Sequence, residues 1–286
     1  MLVQPLKTHG GKGAFNGKLA KWIISMFPPH RNYVETHAGG LAVLLNKPSE
    51  GVAEVVNDLN WQLTNFWQVM RSEEKFSELV TILNATPFAR FSFESARARL
   101  DGDLPPLELA FGPSAGVAAS FFVKCRQSRQ ALGKDFATLT KGRLRGGMNE
   151  QVSAWLSAVD GLPEVHARLR RIVVENCNAK DLIRRMDCEG TVFYSDPPYF
   201  GDERTSGGEY GDFEMTFADH VELLRSFVGL KGWFFLSGYR CPLYDLFAAE
   251  NGWVRHEFEI PNNAASGDSK QLKTECVWTN WKGSLV

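Results

Sequence analysis

Residues Thr191–Phe200 read TVFYSDPPYF, and this stretch decides the fold. Thr191 to Tyr194 are β-branched, aromatic or apolar, the composition of a buried strand. Ser195-Asp196-Pro197-Pro198-Tyr199 follows, where two prolines stop sheet pairing and stiffen the turn. A carboxylate and an aromatic ring are thereby presented side by side at the carboxyl end of a strand, where open α/β sheets put their ligands. A rigid acceptor beside a flat face suits a planar, amine-bearing ring: the acceptor takes the amine hydrogens and the ring stacks on the base. The same residues also read as a plain Asp-Pro turn after a strand.

Upstream the pattern is that of an α/β nucleotide-binding sheet. Tyr33-Val34-Glu35 is a short strand running into Thr36-His37-Ala38-Gly39-Gly40 and a helix from about Leu41. Glycines at such a turn let a backbone approach a ligand closely. Val52–Val56 reads as a second strand, ended by Asn57-Asp58-Leu59-Asn60. An acid at that position bonds ribose hydroxyls in adenosine-binding folds, and it can also cap the helix expected over Trp61–Met70. Ahead of both lies Lys7-Thr8-His9-Gly10-Gly11-Lys12-Gly13, a basic glycine loop able to wrap an anionic or zwitterionic ligand, or a simple N-terminal turn.

The βαβ rhythm stops from about Ser72 to Arg171. Helical spacing dominates there, and Phe121 to Asn149 is locally basic. Lys124, Arg126, Arg129, Lys134, Lys141, Arg143 and Arg145 stand against Asp135 alone, interleaved with Gln127, Ser128, Gln130 and Asn149. Such side chains read phosphates and base edges, although charge runs are also ordinary solvated surface. The rhythm resumes at Ile172-Val173-Val174. Asp181 then opens a helix, as a polar contact for an adenine or as a cap. Strands at Gly232–Leu236, Trp253–Ile260 and Thr274–Trp281 complete the sheet. Gly201–Phe213, rich in Gly, Asp and Glu, reads as a loop at the mouth of the site, with Arg204 and Tyr210 able to hold it closed.

Composition sets bounds. The chain has 286 residues, 44% hydrophobic and 23% charged, with a formal net charge of -1. A core for one or two domains is available, and any nucleic-acid surface must be local. The five cysteines are scattered without a C-x-x-C pair, which predicts reduced thiols, a cytoplasmic setting and no zinc site. No signal-peptide core or membrane-length apolar run is expected.

Together these pieces resemble the D12 class of adenine-specific DNA methyltransferases, the family of the bacterial DNA adenine methylases and many phage and prophage enzymes. K-T-H-G-G-K (Lys7–Lys12) looks like its N-terminal cofactor loop, and V-E-T-H-A-G-G (Val34–Gly40) like its glycine motif. N-D-L-N (Asn57–Asn60) is similar to its ribose-binding segment, N-A-K-D (Asn178–Asp181) to its adenine-contacting one. D-P-P-Y (Asp196–Tyr199) is similar to its catalytic signature. Thr36-His37 departs from the Pro-Phe usual in the family.

The resemblance implies a Rossmann-like α/β methyltransferase sheet over 1–71 and 172–286, with an inserted, mainly helical target-recognition domain over 72–171. S-adenosylmethionine would be the cofactor, held by Lys7, Gly10, Gly11, Lys12, Glu35, Thr36, His37, Gly39, Gly40, Asp58 and Asp181. Asp196, Pro197, Pro198 and Tyr199 would be catalytic. Asp196 and the Pro197 carbonyl would accept the two N6 hydrogens of a flipped-out adenine, while Tyr199 stacks on it. Double-stranded DNA would meet Lys124, Arg126, Gln127, Arg129, Lys141, Arg143, Arg145 and Arg204. No metal is needed, and a cognate restriction nuclease is a conceivable partner. DPPY is shared with enzymes acting on cytosine N4 or RNA adenine, and a non-catalytic DNA-binding relative is a further alternative.

Overall fold

The computed structural model describes residues 2–6, 17–101, 107–200, 213–261 and 272–283. From the amino end the elements run α1 (Lys18–Ser25), β1 (Asn32–Glu35), α2 (Ala42–Asn46), β2 (Ala53–Asn57), α3 (Trp61–Arg71), α4 (Glu73–Asn84), α5 (Arg90–Leu100) and α6 (Ala115–Gln127). They continue with β3 (Leu144–Arg145), β4 (Met148–Asn149), α7 (Glu150–Asp160), α8 (Leu162–Leu169), β5 (Ile172–Glu175) and α9 (Ala179–Met186). The last are β6 (Thr191–Ser195), α10 (Phe217–Ser226), β7 (Trp233–Gly238), α11 (Pro242–Asn251), β8 (Val254–Pro261) and β9 (Leu272–Thr279).

The strands form a seven-stranded, mostly parallel sheet in the order β5-β2-β1-β6-β7-β9-β8, the Rossmann-like α/β fold expected. β1 pairs in parallel with β2 and β6, and β6 with β7. β9 runs antiparallel to both β7 and β8. Every residue of β6 is buried, which explains why Val192, Phe193 and Tyr194 run without polar alternation: a central parallel strand is covered on both faces.

The chain divides into two compact units. One comprises Met1–Gly17, Gly39–Lys47 and Asn60–Asn176; the other Lys18–Ala38, Pro48–Leu59 and Cys177–Val286. The second unit's core is built on Val34, Phe193, Phe234, Leu236 and Trp278. Phe227 of the segment after α10 stacks on Phe234 at 4.5 Å between ring centroids. The first unit is mainly helical, with Phe66 of α3 stacked on Phe122 of α6 at 5.9 Å. It also carries a hairpin in which β3 and β4 are joined by Gly146 and Gly147, both with positive φ (60° and 75°). Two such residues in a row match the right-handed twist of the strands, and glycine adopts that conformation without strain.

Element boundaries moved by a few residues from the sequence reading, with one consequence. The second strand ends at Asn57 rather than Val56, so Asn57 closes the sheet and Asp58 is the first residue beyond it.

Candidate active site

Parallel pairing brings the carboxyl ends of β1, β6 and β7 side by side, with Glu35 opposite Tyr194 and Ser195 opposite Leu236. β2 lies on one side of β1 and β6 on the other. The chain therefore leaves the centre of the sheet in opposite directions, the topology at which open α/β sheets take ligands at their carboxyl strand ends. Asp196, half-buried, follows β6 directly at this end of the sheet, and Pro197 beside it is buried. The Tyr199 hydroxyl donates to the Glu275 carboxylate on β9. Its ring meets Tyr239, just beyond β7, edge-on at 4.7 Å. Burial, then the charges of Asp196 and Glu275, push the Tyr199 phenol well above its ordinary pKa, so it remains a protonated donor.

His37, which interrupts the glycine motif, also joins this strand end. Its Nδ1 lies 3.1 Å from Ser195 Oγ and 3.0 Å from Thr36 Oγ1. The Thr36 N–H donates to the Tyr194 carbonyl at 2.9 Å. Thr36 and His37 thus splice the end of β1 to the residues just before Asp196. Burial, helped by nearby His220, lowers the His37 pKa from 6.5 to about 4. With the folded pKa depressed, the unfolded chain binds more protons between these values. Stability from His37 is therefore full above about pH 6.5 and is lost as pH falls toward 4, by about 2–3 kcal/mol. Denaturant unfolding of His37→Asn and wild type across this range should show a shallower decline for the variant. Parallel curves would refute the assignment.

The proposed cofactor residues separate into groups. Asn57 Nδ2 donates to the carbonyls of Thr36 and Cys177, both at 3.0 Å, and its Oδ1 accepts from the Cys177 N–H at 2.9 Å. Three segments are thereby tied together under the site. Asn60, not Asp58, caps α3: its Oδ1 accepts from the N–H groups of Gln62 and Leu63. The capping alternative for Asp58 is accordingly taken by its neighbour. In the same way Asn178 caps α9 by accepting from Lys180 N–H. Asp181 sits one turn in, exposed and paired with Arg184 at 3.2 Å. Glu35 is buried and accepts from the Tyr33 hydroxyl at 2.9 Å. Gly39 has φ +46° with open space where a Cβ would stand, and its carbonyl accepts from Trp67 Nε1 at 3.2 Å. The Gly40 carbonyl accepts from Gln4 Nε2 at 2.8 Å. Buried Leu41 next to it also adopts positive φ, 58°, a conformation costly for a branched side chain and characteristic of functional turns. Lys7, Gly10, Gly11 and Lys12 lie outside the described residues.

The basic residues of the first unit do not act alike. Gln127 is fully buried: its Oε1 accepts from Ala89 N–H at 3.2 Å and its Nε2 donates to the Pro87 carbonyl at 3.0 Å. Arg126 donates to the carbonyls of Pro5 and Gln4, and burial lowers its pKa to about 10. Lys124 is half-buried, 3.9 Å from Asp101. Arg129, Lys141, Arg143 and Arg145 are exposed. Arg143 lies 3.6 Å from Glu150 across the hairpin, and Arg145 is in β3. Arg126, Arg129 and Arg145 share a cleft of about 380 Å³ with Ser128, Gln151 and Trp155. Arg204 lies outside the described residues, as does all of the loop Gly201–Phe213 except Phe213.

Residues 10–95 match the D12 class N6 adenine-specific DNA methyltransferase family. That match bears out the resemblance over those residues, under a third of the chain. No curated protein matches. Among solved structures, one similar chain is the SAM-dependent methyltransferase from Agrobacterium tumefaciens, 11% identical with a TM-score of 0.35. The similarity covers 91% of this chain and 59% of that one, so this chain spans less than two thirds of its neighbour's length. Among the described residues, no helix is long and apolar enough to cross a membrane, and no cluster of His, Cys, Asp or Glu could hold a metal ion.

Sequence reasoning did not find Glu275 or Tyr239 as members of the site. Glu275 did carry a signal: an acid set directly ahead of Cys-Val-Trp in a strand is placed at the edge of a core, and a buried acid needs a donor.

Proposed function

We propose that this chain is a site-specific DNA methyltransferase that moves the methyl of S-adenosylmethionine to N6 of a flipped-out adenine. The observation that carries the reading is Asp196 just past the end of the central parallel strand, three residues before Tyr199, whose ring is held by a hydrogen bond and an edge contact. S-adenosylmethionine supplies an electrophilic methyl on a sulfonium. The residues fit such a cofactor: Asp58 follows β2 with the capping of α3 left to Asn60, and the backbone at Gly39 is open to close approach. Glu35, Thr36, His37, Gly39, Gly40, Asp58 and Asp181, with the Lys7–Lys12 loop, would hold it.

Adenine's N6 lone pair is delocalised into its ring, so the nucleophile is the difficulty. Acceptance of both N6 hydrogens, by the Asp196 carboxylate and the Pro197 carbonyl, draws the nitrogen toward sp³ and frees the pair. In-line alignment supplies the rest of the rate. A paired base is unreachable, so it must leave the duplex and stack on Tyr199.

Residues 72–171 are assigned to target recognition, with DNA meeting exposed Arg129, Lys141, Arg143 and Arg145 and, beyond the described residues, Arg204. Five free cysteines fit work in a cytoplasm, and a phage or restriction-modification setting, with a partner nuclease, belongs to the same reading. Incubation of the protein with tritiated S-adenosylmethionine and plasmid DNA, followed by nucleoside analysis, tests the function. N6-methyladenine is expected. N4-methylcytosine, or label in RNA alone, would move the substrate, and no cofactor binding by calorimetry would leave a DNA-binding relative.

Substitution of single arginines tests the interface. Arg129→Ala, Arg143→Ala and Arg145→Ala should either weaken binding to every sequence, flattening the salt dependence by about one unit each, or cost ~1–3 kcal/mol on the true site only. Arg126→Ala should instead lower thermal stability, because its guanidinium is committed to the carbonyls of Gln4 and Pro5. Wild-type DNA binding and methylation by the first three variants would make the stretch mere solvated surface.

A further inference from the structure

Glu275 stands at an unusual place for an acid. It is 3% exposed, in the strand between β7 and β8, and the next three residues, Cys276, Val277 and Trp278, are fully buried. A carboxylate there costs several kcal/mol unless it is hydrogen-bonded, and an apolar residue would serve the sheet alone better. The carboxylate accepts from the hydroxyl of Tyr199. The strand that carries it is fixed on both sides: Cys276 pairs with Gly238 of β7 and with Glu257 of β8. Tyr239, immediately after that Gly238, supplies the edge contact to the Tyr199 ring at 82° between planes. Two separate contacts from the rigid sheet thus converge on one ring of the turn after β6.

We propose that Glu275 is a positioning residue for Tyr199: its carboxylate anchors the phenol so that, with Tyr239 against the ring, the stacking wall for the base is set before any base arrives. The proposal rests on the reading of Tyr199 as the residue that stacks on the base. Its energetic sense is preorganisation. A tyrosine in a turn has two rotatable bonds to freeze, and a ring already fixed spares that cost at the moment of base capture. The phenol suits the task because it stays protonated and donates steadily across the working pH range.

The test compares Glu275→Ala, Glu275→Gln, Tyr199→Phe and the double variant Tyr199→Phe/Glu275→Ala. Glutamine keeps an acceptor oxygen of the same reach, and phenylalanine keeps the ring while removing the same bond from the other side. Glu275→Ala and Tyr199→Phe should each lower kcat/KM for DNA about tenfold with cofactor affinity unchanged. The double variant should lose no more than either alone, and Glu275→Gln should recover most of the rate. A loss in the double variant that multiplies the two single losses would overturn the proposal, as would wild-type kinetics in Glu275→Ala. A second readout needs no activity. With the six tyrosines labelled at Cζ with carbon-13, the Tyr199 resonance, assigned by its disappearance in Tyr199→Phe, should shift in Glu275→Ala and less in Glu275→Gln. An unmoved resonance sinks the anchor. A moved resonance in a protein that methylates nothing would instead sink the functional reading and leave the anchor standing. If Glu275→Ala fails to fold, the glutamine and phenylalanine variants still decide both readouts.

Discussion

Asp196→Ala is expected to abolish methyl transfer while leaving cofactor affinity within a few fold of wild type. The carboxylate follows the last residue of β6 and lies among groups that fix its approach. Ser195 behind it is buried and bonded to His37, and Pro197 ahead of it is buried with a fixed φ. Removal of an acceptor aimed at the reacting amine withdraws stabilisation that matters only as charge develops on N6. Losses of about 100-fold to 1000-fold are typical for one preorganised group of this kind. Asp196→Asn should lose nearly as much, because one of its two ends becomes a donor facing the amine hydrogens. A tritiated-methyl assay measures the rate, and calorimetry with S-adenosylmethionine measures the affinity. Turnover within tenfold of wild type would remove Asp196 from the chemistry. A cofactor affinity that fell in step with the rate would move it into the cofactor site.

The legibility of the site in the sequence followed the range of the interactions. β6 and its turn were readable because a buried strand and two prolines are local facts. So were the strand-turn-helix at Tyr33–Leu41 and the acid after β2. Helical spacing was readable in parts of residues 72–171, but α6 (Ala115–Gln127), whose end carries the start of the basic run, was not read as a helix. What a residue does with its side chain was less readable. Arg126 and Gln127 look like neighbours of Arg129 in a basic run. Yet they close contacts with Gln4, Pro5, Pro87 and Ala89, and those partners lie far away in sequence. Glu275 and Tyr199 are 76 positions apart, and only the antiparallel insertion of β9 beside β7 brings them together. His37 was visible as a departure from the family's motif, but its bond to Ser195 depends on β1 and β6 being neighbours. Capping was misread for a simpler reason. An Asp and an Asn compete within N-D-L-N, and the residue directly before the helix wins because its side chain reaches the second and third N–H groups.

That outcome sharpens the expectation for Asp58. Asp58→Ala should raise the dissociation constant for S-adenosylmethionine while leaving affinity for DNA nearly unchanged. The residue follows β2, at the carboxyl edge of the sheet, where an acid can take both hydroxyls of a ribose through its two oxygens. Two hydrogen bonds to a charged acceptor are worth ~1.5–3 kcal/mol or more, so the weakening should be at least about tenfold. Because Asn60 caps α3, the alanine variant should keep that helix cap, and its cofactor response is read against its own melting temperature without cofactor. The difference should appear on addition of S-adenosylmethionine, which stabilises a binding-competent protein by RT ln(1 + L/Kd), with L the free cofactor concentration. Wild type should then melt higher and the variant should lag behind it. Asn60→Ala provides the contrast: a lower melting temperature by the loss of a cap, ~1 kcal/mol, with a cofactor-induced shift like that of wild type. Equal cofactor shifts in Asp58→Ala and wild type would take the ribose role away from Asp58.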